Sequence, residues 1–271
     1  MAPVILSQFV EQFHLLFLAF LGRKVDKAQY ALKGGCNLRF FLGSIRYSED
    51  MDLDAGNLER HVLRDRVNGI LASAPFSEIL RARGIAIEHI NEHKQTDTTQ
   101  RWKLGLRVDG VAVALPTKLE FSRRGMADEV SFESVDPIVI RGYHLPPVMA
   151  NHYTADAAFG QKLGALASRS VTQARDIFDL HHLLMSGPMA AIGAGNAAGR
   201  PAPGGKASRA GAFDPALIDK ARTNAMAIDF RTFKSQVLGY LPPDARATYD
   251  SKSTWETMVL EVVEALDRAE P

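Results

Sequence analysis

The chain has 271 residues, 46% hydrophobic and 23% charged, with a formal net charge of +1. That suffices for one large or two small domains with a sizeable core, and it gives no global field of the kind that marks a nucleic-acid or membrane protein, so any polyanion site must be a local patch. A single cysteine, Cys36, excludes a disulfide framework and a cysteine-built zinc site, and it fits a reducing cytoplasm, the expected location.

From the N-terminus, Phe9, Phe13, Leu16, Phe17 and Phe20 recur at helical spacing and predict a helix over residues 5 to 22. Gln8, Glu11, Gln12 and His14 interrupt the apolar run from Val4 to Leu21, and no basic lead or cleavage site accompanies it. The segment reads as an amphipathic helix, neither a signal peptide nor a membrane span. Residues 29 to 34 read as a short strand or turn entering Gly34-Gly35, and Leu38, Phe41 and Leu42 as a short helix. A strand follows over residues 50 to 55. A helix over residues 57 to 73 is expected next, with Asn57 as its cap and Leu63, Val67, Ile70 and Leu71 facing inward.

The period then changes. Ile85, Ile87 and Ile90 suggest a strand, and Trp102, Leu104, Leu106 and Val108 alternate with polar residues. Asp109-Gly110 predicts a two-residue hairpin turn into Val111, Val113 and Leu115. Pro116 breaks or edges that strand, and alternation resumes over residues 117 to 122. Residues 1 to 135 thus read as an α/β unit on a mixed or antiparallel sheet, and residues 136 to 271 as a helical part. In the latter, Ser170 and Gln173 read as a capping box. The Gly-, Ala- and Pro-rich stretch 186 to 212 reads as a mobile linker or loop. Two or three helices follow it, the last carrying Trp255, Met258, Val259, Val262, Val263 and Leu266. No internal repeat is visible.

The chemistry concentrates at Asp50 and Asp52. On a strand they project together while Met51 and Leu53 point into the body of the protein. Two adjacent carboxylates repel unless a cation lies between them, and oxygen-only ligands suit Mg²⁺, which works with substrate phosphates. Gly34 and Gly35 let backbone approach a phosphate closely, and Ser48 lies just before the acids. Asp54 shares their face and reads as a supporting or helix-capping acid. Glu120 is the natural third ligand if its strand runs beside residues 50 to 54; otherwise it is a surface residue paired with Lys118 or Arg123. Lys33, Arg39, Arg46, Lys118, Arg123 and Arg124 flank these acids, and Arg46 or Arg39 is the expected phosphate contact. Further on, Asp176 and Asp179 lie one helical turn apart, near Lys162, Arg169 and Arg175; an ion-pair network among them is an equally available reading.

KGG, then RYSEDMDLD, then TKLEF, then KLGALASRSVTQARDIFDL, in that order over residues 30 to 185, resembles the AbiEii/AbiGii nucleotidyltransferase toxin family of the polymerase-β-like superfamily. The resemblance implies a nucleotidyltransferase fold of α/β (α+β) class, with a mixed sheet flanked by helices and a helical C-terminal part. It also implies transfer of a nucleotide from an NTP with Mg²⁺, Mn²⁺ being the alternative ion. Position by position, Gly34 and Gly35 match the phosphate-cradling turn, Ser48 the serine of its block, Asp50 and Asp52 the metal acids and Glu120 the third carboxylate. Lys162 matches a lysine expected to contact nucleotide phosphate, and Asp176 and Asp179 match paired acids. Family members often act as toxins with a separately encoded antitoxin, and some modify the acceptor end of tRNA. Cys36 departs from the pattern, standing where a serine or threonine hydroxyl would reach phosphate. The resulting expectation is an NTP site between the two parts of the chain. There Asp50 and Asp52 hold metal, Glu120 accepts a proton or assists metal-bound deprotonation, and Gly34, Gly35, Arg46 and Lys162 hold the triphosphate. Arg123 and Arg124 would grip an RNA acceptor. A nucleotide-binding module without turnover, or a protein-interaction module, is the alternative.

Overall fold

The structure, a computed structural model, describes residues 5–126, 129–186 and 213–268. The described chain forms two units, residues 1–154 and 155–271. Residues 136 to 154 therefore fold with the first unit and not with the helical part, because a strand within them pairs in the sheet.

In the first unit, helix α1 (Leu6–Lys24) is followed by strand β1 (Tyr30–Lys33), helix α2 (Gly34–Phe41), strand β2 (Asp50–Ala55) and helices α3 (Arg60–Leu71) and α4 (Ala74–Arg81). Strands β3 (Ile85–Gln95), β4 (Thr99–Val108), β5 (Leu115–Ser122) and β6 (Val130–Ser134) come next, then helix α5 (Pro137–Gly142) and strand β7 (Met149–Tyr153). All seven strands join one mixed sheet in the order β3-β4-β5-β2-β1-β7-β6. The β2–β5 and β1–β7 pairs are parallel, and the others antiparallel.

Alternation decides which face is covered. Met51 and Leu53 of β2, Trp102, Leu104 and Leu106 of β4, and Leu119 and Phe121 of β5 are buried in one core with Phe13 and Phe17 of α1, Leu63 and Val67 of α3 and Phe76 of α4. The intervening residues of these strands face the other way. That opposite face carries the acids.

Three local expectations are corrected. Helix α3 begins after Glu59, without a side-chain cap, so Asn57 does not cap it. Val111 N does bond to Val108 O at 3.0 Å around Asp109-Gly110, but no strand follows that turn. The next strand starts at Leu115, and Val113 is exposed. Pro116 is tolerated there because β2 pairs with β5 only from Lys118 onward. The helix after residue 173 has no side-chain cap from Gln173. Its first amide, Ala174 N, is bonded by Gln236 Oε1 at 2.8 Å, so a distant residue replaces the expected capping box.

The second unit is helical: α6 (Ala155–Ser168), α7 (Ala174–Met185), α8 (Pro215–Met226), α9 (Phe230–Gln236), α10 (Pro243–Tyr249) and α11 (Lys252–Arg268). Asp214 and Asp229 cap α8 and α9 through Ala216 N and Thr232 N. Phe159, Leu163, Ile177, Leu180, Ile218, Phe233, Trp255, Met258 and Val262 are buried, with Phe233 and Trp255 stacked at 4.6 Å. The expected linker 186 to 212 lies, but for Ser186, outside the described residues. Among those described, no helix is long and apolar enough to cross a membrane.

Candidate active site

Parallel pairing of β2 with β5 sets Asp50 opposite Lys118, Asp52 opposite Glu120 and Asp54 opposite Ser122. Directly opposed residues share a face, so Asp50, Asp52, Glu120 and Lys118 meet on the sheet surface away from the core. Lys118 Nζ stands among the acids, 3.2 Å from Asp50 Oδ2, 3.6 Å from Asp52 Oδ1 and 3.2 Å from Glu120 Oε2. Arg101, opposite Glu120 on β4, binds its Oε2 at 2.6 Å.

These neighbours set the charge states. Burial pushes the Asp50 carboxyl up and Asp52 adds to the rise, with Lys118 opposing. For Glu120, burial is outweighed by the Arg101 bond and the Lys118 charge, so its carboxyl is held below the usual range. For Lys118, burial is outweighed by Asp52, Asp50 and Glu120, which raise the ammonium above its ordinary value.

The glycine turn abuts the same acids. Lys33, the last residue of β1, lies opposite Asp52, and the chain then enters α2. Gly34 has φ +66°, and a Cβ there would lie 3.3 Å from Asp52 Oδ2. At Gly35 a Cβ would lie 2.5 Å from Ser48 Oγ and 3.1 Å from Arg46 Nη2. Ser48 Oγ donates to Asp50 O at 2.9 Å, tying the turn to the start of β2. Arg46 is buried beneath the turn and donates from Nη1 to Tyr47 O at 3.1 Å.

Arg39, one of the two arginines expected near phosphate, is engaged elsewhere, as is the flanking Lys33. Arg39 grips buried Glu11 through Nε at 2.8 Å and Nη2 at 3.2 Å and donates to Ser44 O. Tyr143 OH also donates to Glu11, at 2.7 Å. Lys33 Nζ pairs with Asp54 at 2.5 Å, and Tyr153 OH donates to the other Asp54 oxygen at 2.8 Å. Asp54 thus anchors β1 and β7 to β2.

Cys36 also differs from its expected role. It is 1% exposed, so its side chain faces the interior. Its thiol sits 3.2 Å from Asp50 O and 3.5 Å from His14 Nδ1. Thr117 Oγ1 bridges the same region, donating to Glu49 O at 2.7 Å and lying 2.8 Å from His14 Nε2. Burial lowers His14 to about 3, so the ring is neutral and can donate to Thr117. Residues 14, 36, 48 and 117 together hold the backbone that presents Asp50. The bonds of His14 and Thr117 join residues far apart in the chain, so no local pattern reveals them.

In the helical unit Lys162 Nζ lies 3.1 Å from Asp176 Oδ1 and 2.6 Å from Asp179 Oδ2, and Arg169 Nε lies 3.0 Å from Asp176 Oδ2. Both acids are fully buried. The three residues expected to act together do meet, in the form of an ion-pair network. Of the two arginines expected to grip RNA, Arg124 is exposed, while Arg123 is partly buried against Gln100.

Among the described residues no three His, Cys, Asp or Glu side chains converge closely enough to hold one ion; Asp50, Asp52 and Glu120 converge on Lys118 instead. Their donor chemistry nevertheless fits a hard divalent cation. The ammonium within 3.6 Å of all three marks where they call for positive charge.

The model of the AbiEii family, described as nucleotidyl transferase AbiEii toxin of type IV toxin–antitoxin systems, matches residues 16–258. No curated protein matches the chain. Among solved structures, a protein described as a nucleotidyltransferase from H. pylori shares 20% identity at TM-score 0.56, over 99% of this chain and 96% of its own. JHP933 from Helicobacter pylori shares 19% at TM-score 0.54, covering 96% and 89%. MenT4, a nucleotidyltransferase toxin from Mycobacterium tuberculosis H37Rv, shares 19% at TM-score 0.57, covering 96% and 82%. At these identities the likeness is one of fold, and the family model goes further. With its match spanning most of the sequence, this chain belongs to the AbiEii nucleotidyltransferase toxin family of type IV toxin–antitoxin systems, and it is a nucleotidyltransferase.

Proposed function

We propose that the enzyme transfers a nucleotide from an NTP to a hydroxyl of RNA, with tRNA the favoured acceptor, and that a separately encoded antitoxin restrains it. The observation that carries this reading is the β2–β5 register, which sets Asp50, Asp52 and Glu120 side by side against the Gly34-Gly35 turn.

Asp50 and Asp52 would hold Mg²⁺ or Mn²⁺ with Glu120 beside them. When bound, such an ion supplies neutralisation of phosphate charge and acidifies a coordinated hydroxyl. The chain's own contribution is positioning and electrostatics. Gly34 and Gly35 open the first turn of α2, whose positive end favours a phosphate. Ser48, Arg46, Cys36, His14 and Thr117 hold that turn and the Asp50 backbone in register. In the reaction the acceptor oxygen bonds to the α-phosphorus, the bond from that phosphorus to pyrophosphate breaks, and pyrophosphate leaves with the electron pair. Glu120, held ionised by Arg101 and Lys118, remains a stronger base than water and would take the hydroxyl proton, which then passes to solvent.

An RNA acceptor is supported by what continues the acidic face outward. Across β4 and β3 the same side of the sheet presents Arg101, Lys103 and Arg107, with Lys94 opposite Arg101. Lys94, Lys103 and Arg107 are exposed and form a local basic path for a polyanion.

The test is label transfer from each α-³²P-NTP to total tRNA with Mg²⁺. Wild type labels tRNA, and D50A reduces labelling by about a hundredfold or more, the scale of removing one main electrostatic group. A D50A chain as active as wild type rejects the assigned chemistry.

A further inference from the structure

We infer that Lys118 is a resident counter-ion that exchanges partners, leaving the carboxylates of Asp50, Asp52 and Glu120 for the nucleotide's phosphates when a divalent cation loads. This inference rests on the nucleotidyl-transfer reading above.

The register alone puts the residue in place. Lys118 lies opposite Asp50 on the adjacent parallel strand, and Glu120 opposite Asp52, so one side chain reaches all three acids from the middle of the group. Its ammonium is 3.2 to 3.6 Å from each, which is the neighbourhood a divalent ion serving those acids must also use. A compact monovalent charge and a divalent one repel strongly at such separations when partly desolvated. Both cannot keep the same partners.

Lysine is suited to step aside. Its charge sits on a flexible four-carbon stem with three rotatable donors, and its side chain is 22% exposed, so a path outward is open. Nearby anchoring does not depend on it: Glu120 keeps Arg101 at 2.6 Å. Lys103 faces Lys118 across β4 and adds a like charge that favours departure toward a new anion. The Gly34-Gly35 turn, where a Cβ at Gly34 would lie 3.3 Å from Asp52 Oδ2, places the proposed phosphates next to the vacated contact.

Two consequences follow. With no nucleotide, Lys118 competes with the cation and weakens its binding. With nucleotide, the displaced ammonium gains a phosphate, so cation and NTP strengthen each other's binding beyond what direct metal–phosphate contact gives. By linkage the effect is reciprocal.

The test uses the full chain and Mn²⁺, with free ion counted by electron paramagnetic resonance, with and without a non-hydrolysable NTP analogue. K118M is expected to bind Mn²⁺ about tenfold more tightly than wild type without nucleotide, and to show a smaller gain on adding the analogue. K118R, which keeps the charge, stays close to wild type, and circular dichroism confirms that the variants fold. Equal or weaker Mn²⁺ binding by K118M, with an undiminished nucleotide effect, overturns the exchange while leaving the nucleotidyl site intact. Absence of Mn²⁺ binding in every chain, with or without nucleotide, removes the metal-site reading itself, and this inference with it.

Discussion

Replacing Lys162 by methionine removes the cation shared by two carboxylates that have no access to water. Its ammonium lies 3.1 Å from Asp176 and 2.6 Å from Asp179, and both acids are 0% exposed. Arg169 remains on Asp176 at 3.0 Å, while Asp179 loses its 2.6 Å contact with the ammonium. Breaking a buried pair from one side costs about 3–5 kcal/mol, because a buried carboxylate loses its counter-charge. At a urea slope of about 2 kcal/mol/M, the unfolding midpoint drops by about 2 M. The two tryptophans of the chain are Trp102 and Trp255, one in each unit. Fluorescence of Trp255 in a Trp102→Phe background therefore follows the helical unit alone. Adding Asp179→Asn to Lys162→Met recovers part of the loss, since a neutral amide needs no counter-charge. A Lys162→Met midpoint indistinguishable from the parent would refute the claim that these acids depend on that ammonium.

Gly35→Ala forces Ser48 to turn away, since the new methyl meets its Oγ at 2.5 Å and its Cβ at 3.0 Å, breaking the bond to Asp50 O. The expected destabilisation is about 1–3 kcal/mol, read by thermal melting, together with reduced label transfer; Ser48→Gly in the same chain removes the overlap but not the lost hydrogen bond, and so recovers only part of the stability. His14 gives a pH dependence of defined sign. Its folded value is about 3 against 6.5 for the ordinary imidazole, so below 6.5 the unfolded chain takes up a proton that the fold refuses. Stability is complete above that value and falls by about 1.4 kcal/mol per unit as pH drops toward 3. The wild-type loss between pH 7.5 and 5 should exceed that of His14→Gln by about 2 kcal/mol; equal losses in denaturant titrations would contradict the buried neutral ring.

The local half of this architecture was legible because it obeys short periods. Phe13, Leu16 and Phe17 of α1, Met51 and Leu53 of β2 and the inward set of α3 are buried, and Phe9 and Phe20 are partly buried against the same core. What pairs with what was not legible. Strands β6 and β7 are short, and β7 meets β1 in parallel through Leu32 and His152, more than a hundred residues apart. No local signal encodes such a pairing. The same gap hid the central part of Lys118. Alternation puts it on the face of Glu120, but only the register sets it opposite Asp50. Capping was misread for a related reason: Gln236 reaches Ala174 from another helix, a contact stronger in effect than the adjacent Ser170. Cys36 was assigned outward by analogy with a hydroxyl, whereas its helix turns it toward His14.

That buried thiol has a practical consequence. Thiolate is the reactive form of cysteine, and here burial and the nearby carboxylates of Asp52 and Glu11 hold the sulfur protonated. Because the chain has no other cysteine, the folded protein is inert to maleimide. A cysteine introduced at an exposed position such as Arg124 or Lys103 then takes a fluorophore at one place, with no background substitution needed. Reaction at Cys36 itself would report unfolding of the first unit, as a chemical clock.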